Sequence, residues 1–210
     1  MLQTAFPNAA RRLSLLCAAT AALTAGPASA DGNFIDHRLS RNTGGIYAAQ
    51  DAVPVALALA SAGCALWEGT QDPLGRTCWE SGESIAIGGV SAEALQYITG
   101  RRSPSDTTDP GHWFSGAKGS FPSLHVTATT AAVTPFILQY VKDDPWVASL
   151  ALLPAYEMVA RVKAQEHWQT DVLAGALLGF GVGAYEYQRN SPFVFYLLPG
   201  GAFAGFSRKF

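Results

Sequence analysis

The sequence lacks any cluster or stripe of basic side chains. Its 14 Lys and Arg residues are outnumbered by 16 Asp and Glu residues, and the formal net charge is −2. Proteins that bind nucleic acid usually present a basic patch to the phosphate backbone. Nucleic acid is therefore not an expected partner.

Cysteine and histidine are also scarce, with three and four copies. None of the cysteines stands at the spacing of a metal-ligand set. We therefore expect neither a metal nor another cofactor.

Long apolar runs are missing after residue 30. A membrane-spanning helix needs about 20 apolar residues, whereas the apolar segments here are interrupted by Pro54, by Pro135, and by Pro154 with Glu157. The last uncharged run covers only Val172 to Tyr185. These interruptions favour a helical domain that docks on a membrane surface. A multi-span protein stays the alternative, because counting can miss short helices.

Residues 1–30 have the three parts of an export signal. Arg11 and Arg12 form a basic region, Leu13 to Leu23 is apolar, and Ala28-Ser29-Ala30 has the small residues of a cleavage site. The signal predicts a periplasmic protein with a single domain over residues 31–210. Two of the 14 basic residues lie in the signal, so this domain carries 12 against 16, or −4.

Two cysteines, Cys64 and Cys78, remain after the signal. They flank a segment from Gly69 to Gly75 that we interpret as a loop, and export would place them in an oxidising compartment. A disulfide is the simplest interpretation, and two free buried thiols are the alternative.

Hydrophobic patterning predicts an all-α fold, a bundle of about five to six core helices. Gly175, Gly179 and Gly183 recur every four residues in the last one, which suits close helix packing. The residues between 105 and 119 form a long loop typical of active sites, and the C-terminal segment suggests a short β-hairpin. The predicted elements are helices at Tyr47–Trp67, Glu83–Thr99, Leu124–Tyr140, Pro145 to about Val162 and about Trp168–Gln188, and strands at Phe193–Leu198 and Ala202–Phe206.

The segment Phe121-Pro122-Ser123 reads as a helix start. Pro122 biases Phe121 away from the helical region, and the Ser123 hydroxyl is expected to accept a hydrogen bond from an N–H of the first turn. The free N–H groups and the dipole of that helix end would favour an anion. His125, in the first turn, is placed to exchange a proton with it.

A second cluster reads Arg161-x5-His167-x3-Asp171. His167 and Asp171 are four apart and share a helix face, so Asp171 can hold one ring nitrogen of His167 while the other reacts. Arg161 offers a fork of donors that matches phosphate oxygens. Buried structural histidines are the alternative explanation of both clusters.

At these residues the sequence resembles the type 2 phosphatidic acid phosphatase superfamily, which also contains bacterial acid phosphatases and vanadium haloperoxidases. The family motifs are Lys-x6-Arg-Pro, Pro-Ser-Gly-His and Ser-Arg-x5-His-x3-Asp. Their order and spacing are kept here as Gln96-x6-Ser103-Pro104, Pro122-Ser123-Leu124-His125 and Ala160-Arg161-x5-His167-x3-Asp171.

The departures from the motifs differ in weight. Leu124 replaces a glycine but keeps the backbone N–H. Gln96 and Ser103 each replace a cation expected to face phosphate, and a charge-assisted hydrogen bond is worth roughly 1.5–3 kcal/mol. Compensation would have to come from other nearby cations, and the candidates are Arg101, Arg102 and Lys118.

The resemblance implies a metal-independent phosphatase. His167 would attack phosphorus, Asp171 would orient it, and His125 would protonate the leaving oxygen. Arg161, Ser123 and nearby N–H groups would hold the phosphoryl oxygens. The apolar helices and the aromatic loop residues Trp113 and Phe114 favour a lipid phosphate or prenyl pyrophosphate over a soluble small-molecule ester.

Two other functions fit the same motifs. The missing cations motivate a protein that binds a phosphorylated lipid or glycan with little turnover. A vanadate-dependent haloperoxidase would use the same anion site, but the short chain and the missing cations disfavour it.

Overall fold

A computed structural model of the chain describes residues 35–189, 193–198 and 201–206. The predicted export signal lies outside these residues. The elements are a 3-10 helix at Gly45–Ala49, α1 at Ala52–Glu68, α2 at Pro73–Thr99, α3 at Leu124–Tyr140, a 3-10 helix at Pro145–Ala151, α4 at Leu152–Lys163, α5 at Gln169–Arg189, β1 at Phe193–Leu198 and β2 at Gly201–Phe206. The predicted all-α bundle is confirmed, with five α-helices and one hairpin in the described residues.

Several predicted helix bounds were wrong. The segment Gly69 to Gly75 is not all loop, because Pro73 opens α2, and Gly75 lies inside that helix. Proline suits the first helical position, where its missing N–H has no intrahelical acceptor to lose. The helix predicted from Tyr47 begins instead at Ala52, and the one predicted from Pro145 starts with a 3-10 turn.

The glycine stripe of α5 lets α5 approach α3 closely, as predicted. A Cβ at Gly175 would lie 2.7 Å from the Ser123 carbonyl oxygen, and one at Gly179 would lie 2.4 Å from that of Thr127. A Cβ at Gly183 would lie 2.6 Å from the Cβ of Thr134. The start of α5 is therefore held directly against the start of α3.

A disulfide and two hydroxyls tie α1, α2 and α3 together. Cys64 and Cys78 are bonded, with their Cα atoms 5.9 Å apart. Ser81 Oγ donates to the Ala132 carbonyl at 2.8 Å. Because that bond uses the only hydroxyl proton of Ser81, Ser61 must be the donor in the 2.8 Å bond between the two serines.

Three buried valines, Val126, Val162 and Val172, form a core cluster between α3, α4 and α5. Each follows a predicted site residue directly: His125, Arg161 and Asp171. Packing the valines together therefore brings three predicted site residues to one end of the bundle.

The hairpin pairs antiparallel, from Phe193 opposite Phe206 to Leu198 opposite Gly201. In the described part of the chain, no helix is both long enough and apolar enough to cross a membrane.

Candidate active site

His167 lies in the turn between α4 and α5 and is 5 % exposed. Its Nδ1 is 2.7 Å from the carbonyl oxygen of Ser120. A carbonyl oxygen can only accept, so Nδ1 must carry a proton and donate it. In the neutral ring, Nε2 then keeps its lone pair. This tautomer is the one that a nitrogen nucleophile requires.

Asp171 lies behind this ring. Its Oδ2 is 3.8 Å from His167 Nδ1, an ion-pair distance that is too long for a hydrogen bond. The same oxygen accepts the N–H of Trp168 at 2.9 Å, and Oδ1 accepts from Arg101. Burial alone would raise the pKa of Asp171, but His167, Arg101 and the Trp168 N–H together hold it below its ordinary value. Asp171 is therefore a fixed negative charge, and Ser120 holds the Nδ1 proton that we had expected Asp171 to hold.

Arg101, a predicted phosphate ligand, is used inside the fold instead. It is 1 % exposed and forms ion pairs with Asp171 and, at 2.6 Å, with Asp36. Its guanidinium also donates to the Pro110 carbonyl and lies 4.5 Å from the ring centre of Trp113. With these partners, Arg101 anchors Asp171 rather than a ligand.

His125 and Arg161 meet at one carboxylate, that of Asp51. Asp51 Oδ1 lies 2.9 Å from Arg161 Nη1 and 3.4 Å from His125 Nε2. Glu166 pairs with Arg161 Nη2. Burial first, then the charge of Arg161, lower the pKa of His125 to about 4, while Asp51 opposes them. His125 is therefore mostly neutral at pH 7 in the free protein.

Four more residues were predicted to bind phosphate: Gln96, Ser103, Lys118 and Arg102. Gln96 is buried and donates through Nε2 to the Pro122 carbonyl at 2.8 Å, so it supports the start of α3. Ser103 bonds to Ser105 at 2.7 Å, and Lys118 pairs with Glu93 at 2.9 Å. Of these four, only Arg102 is exposed without an ion pair among the described contacts.

Ser123 is the N-cap of α3, as predicted, but its hydroxyl caps nothing. The residue is 0 % exposed, and its Oγ has no hydrogen-bond partner in the described residues. Its own N–H donates to the Asp171 carbonyl at 3.0 Å. The next N–H groups, from Leu124 onward, belong to a first turn that has no intrahelical acceptor. A free hydroxyl and free N–H groups therefore stand together near His125.

Sequence reasoning missed four acidic residues. Asp36 lies in a polar segment without periodicity, and Asp51 precedes a helix as an ordinary cap residue does. Glu166 lies between the motif residues Arg161 and His167. Glu157 is one helical turn before Arg161 and is 0 % exposed; both of its carboxyl oxygens, like Arg161 Nε, lack a partner in the described residues. Its place at i−4 from Arg161 was the one available signal.

Burial raises the pKa of Glu157 to about 7, with Asp51 and Glu166 adding to the shift and Arg161 opposing it. The described residues contain no group of three or more His, Cys, Asp or Glu side chains arranged to hold a metal ion.

The sequence matches the family model of the PAP2 superfamily over residues 78–193, which contain all three motif segments. A lipid A 1-phosphatase from Porphyromonas gingivalis is 29 % identical over 122 residues, covering 58 % of this chain and 25 % of that protein. The chain thus spans about a quarter of the relative's length in this match. No solved structure matches the chain significantly. Asp36 and Asp51 lie outside the family match.

Proposed function

Because the chain belongs to the PAP2 superfamily, we propose that it is a metal-independent phosphatase acting through a phosphohistidine. Its substrate would be a phosphate ester or pyrophosphate of a lipid or prenyl alcohol. The observation that carries the proposal is the bond from His167 Nδ1 to the Ser120 carbonyl, which leaves Nε2 free to attack phosphorus.

The reaction has two steps. His167 Nε2 forms a bond to phosphorus as the bond from phosphorus to the leaving oxygen breaks, and His125 gives that oxygen a proton. Water then attacks the phosphohistidine while His125, now neutral, takes a proton from it. Phosphate leaves, and both histidines return to their first states. The charge of Asp171 stabilises the His167 ring while that ring carries the phosphoryl group.

His125 must be protonated for the first step. In the free protein the pKa of His125 is about 4, so the neutral form prevails at pH 7 and the protonated form that the reaction needs is scarce. A bound phosphate near Nε2 would favour the imidazolium, as Asp51 does in the free protein. We therefore expect kcat/KM to be highest on the acid side of neutrality.

Arg161 and the start of α3 supply the phosphoryl contacts. Arg161 Nη1, the unpaired hydroxyl of Ser123 and the first-turn N–H groups are the donors available. Arg102 is the candidate for the missing charge. Its carbonyl accepts from Trp168 Nε1 at 2.8 Å, so its backbone lies beside the turn that carries His167.

Exposed apolar side chains near the end of α2 support a lipid-like substrate. The Phe114 N–H donates to the Thr99 carbonyl at 2.7 Å, which places Phe114 at the end of α2. Phe114, Tyr97 and Ile98 are 76 %, 63 % and 68 % exposed. Trp113 differs, because it packs on Arg101 and Phe121. The related protein from Porphyromonas gingivalis is named a lipid A 1-phosphatase, which points to the same substrate class.

A second candidate function is binding of a phosphorylated ligand with little turnover. The surroundings of Gln96 and Ser103 favour it, because these residues bond to the Pro122 carbonyl and to Ser105 and bring no cation to stabilise the transition state.

Phosphate release decides between the two functions. The protein would be assayed with a lipid phosphate in mixed micelles, a prenyl diphosphate and an aryl phosphate, each with a chelator present. His167→Ala is the test variant, and His112→Ala, an exposed loop histidine, is the matched control. A phosphatase shows release that survives in the control and disappears in His167→Ala. Ligand binding with equal background release in all three proteins would select the second function.

A further inference from the structure

Asp51 Oδ1 contacts two side chains of the proposed site, those of Arg161 and His125. It lies 2.9 Å from Arg161 Nη1 and 3.4 Å from His125 Nε2. In the proposed reaction, Nη1 holds a phosphoryl oxygen and Nε2 protonates the leaving oxygen. One carboxylate oxygen therefore lies where oxygens of a phosphate ester have to lie.

Helix capping does not explain the position of the Asp51 side chain. It stands before α1, but its side chain caps no helix N–H. The side chain is 75 % exposed, whereas the Arg161 side chain is 6 % exposed. The carboxylate thus reaches from solvent onto a buried cation.

The backbone around Asp51 is fixed over the site by other contacts. The Asn42 N–H donates to the Lys163 carbonyl at 2.8 Å, and the Tyr156 hydroxyl donates to the Ile46 carbonyl at 2.7 Å. Gln50, directly before Asp51, is buried. The segment from Asn42 to Asp51 is therefore attached to α4, the helix of Arg161, and keeps the carboxylate near the site.

Charge prevents a phosphate from joining Asp51 at this position. Arg161 already faces the carboxylates of Asp51 and Glu166. An added phosphate dianion would sit within contact distance of the Asp51 carboxylate, and like charges at this range repel. Glu166 can stay, because it uses Nη2 and has no described contact with His125.

From this geometry, and resting on the proposed function, we propose that Asp51 is an internal substitute for the substrate phosphate, which binds by displacing the Asp51 carboxylate from Arg161 and His125. Asp51 therefore sets the affinity of the site for anions. In the free protein it also keeps a negative charge beside His125, and the substrate replaces that charge with its own.

The test is the affinity for inorganic phosphate and vanadate, measured by calorimetry and as inhibition constants. Asp51→Asn removes the charge but keeps the shape, and Asp51→Ala removes the contact. Both variants should bind phosphate and vanadate about tenfold more tightly than the unaltered protein, a change of 1.4 kcal/mol. KM should fall with the inhibition constants, while kcat changes less than about threefold.

Asp143→Asn is the matched control for general charge. Asp143 is exposed in the turn after α3, whereas the site lies at the start of α3. This variant should change neither affinity nor turnover. Thermal unfolding checks that all variants are folded.

The outcomes separate this inference from the proposed function. Turnover in the unaltered protein with unchanged anion affinity in both Asp51 variants would overturn the inference alone. So would a lower kcat at unchanged affinity, which would make Asp51 a partner of the acid His125. Tighter phosphate binding in the variants without turnover in any protein would support the inference and contradict the phosphatase. If no variant binds phosphate or turns over, both are wrong.

Discussion

His167 and His125, the two histidines of the proposed site, have surroundings that differ in burial and in pairing. The inner half consists of His167, Asp171, Arg101 and Asp36, each at most 5 % exposed and each with a described partner. The outer half consists of His125, Arg161, Asp51 and Glu166, and its two carboxylates are 75 % and 39 % exposed.

The difference separates two tasks within one site. The inner half is preorganised, because its tautomer and its charges are fixed by buried partners before any ligand arrives. In the outer half, exposed carboxylates occupy the place of a ligand. Because exposed ion pairs contribute little free energy, a ligand can displace these carboxylates at little cost. Variants of the inner half should therefore damage the fold together with activity, and variants of the outer half should change chemistry and affinity.

The largest effect is expected from Arg101→Met, which breaks the inner half. Asp36 and Asp171 would stay buried without their cation, and breaking a buried ion pair in this way costs about 3–5 kcal/mol. Chemical denaturation measures the loss. Arg102→Met, at the exposed neighbouring position, should change the unfolding free energy by less than about 0.5 kcal/mol. Equal stability of the two variants would contradict the anchoring role of Arg101.

His125→Ala tests the outer half. Loss of a general acid should lower kcat/KM by about 10²–10⁴ on an alkyl or prenyl phosphate. The loss should be much smaller on an aryl phosphate, because a phenolate leaves without needing a proton. The ratio of the two rates measures this difference. Equal losses on both substrates would argue against proton donation by His125.

Loss of the disulfide tests the attachment of the helix that follows Asp51. The bond joins α2 to α1, the helix that Asp51 precedes. For a closed loop of this length, removing it should lower the unfolding free energy by roughly 2–3 kcal/mol. Denaturation of Cys64→Ser/Cys78→Ser beside the oxidised protein measures this. Alkylation of both thiols without prior reduction would show that the bond does not form.

The smallest effect is expected from Glu157→Gln, beneath the outer half. The folded pKa of Glu157, about 7, lies above its ordinary value of 4.5. Its stabilising contribution is therefore complete below pH 4.5 and is lost as pH rises through 7. Between pH 6 and pH 8 this loss amounts to about 1.4 kcal/mol.

Denaturation at the two pH values measures the pH dependence in both proteins. Burial also raises the pKa of Glu80 to about 7, which adds a second loss of the same sign. The lowered pKa of His125, about 4, acts in the opposite direction, because the unfolded form of this residue gives up its proton near pH 6.5. The pH dependence in Glu157→Gln should therefore be less than half of that in the unaltered protein. An unchanged pH dependence would mean that Glu157 is ionised throughout.

Local signals predicted much of the fold. Both bounds of α3 were predicted, because Pro122 and Ser123 mark its start and an apolar stretch follows. The start of α2 was missed because Pro73 and Gly75 suggest a loop when neighbouring segments are not considered. The hairpin was predicted from two apolar runs around Pro199-Gly200-Gly201, with β2 starting one residue early at Gly201.

Partners distant in sequence were not predictable. Arg101 turns inward because it meets Asp36, 65 positions away, and Arg161 meets Asp51, 110 positions away. Motif spacing predicted that His125, Arg161 and Asp171 come to one place, which the packing of three adjacent valines achieves. It could not predict which cations remain free, because that depends on which carboxylates the fold brings beside them.

Trapping the covalent intermediate tests directly whether His167 is the nucleophile. The protein would be mixed with a labelled phosphate ester, quenched in alkali, where phosphohistidine survives, and mapped by mass spectrometry. We predict a phosphoryl group on His167 in the unaltered protein and in Asp51→Asn, and none in His167→Ala. Label on another residue, or turnover in His167→Ala at the unaltered rate, would contradict the account.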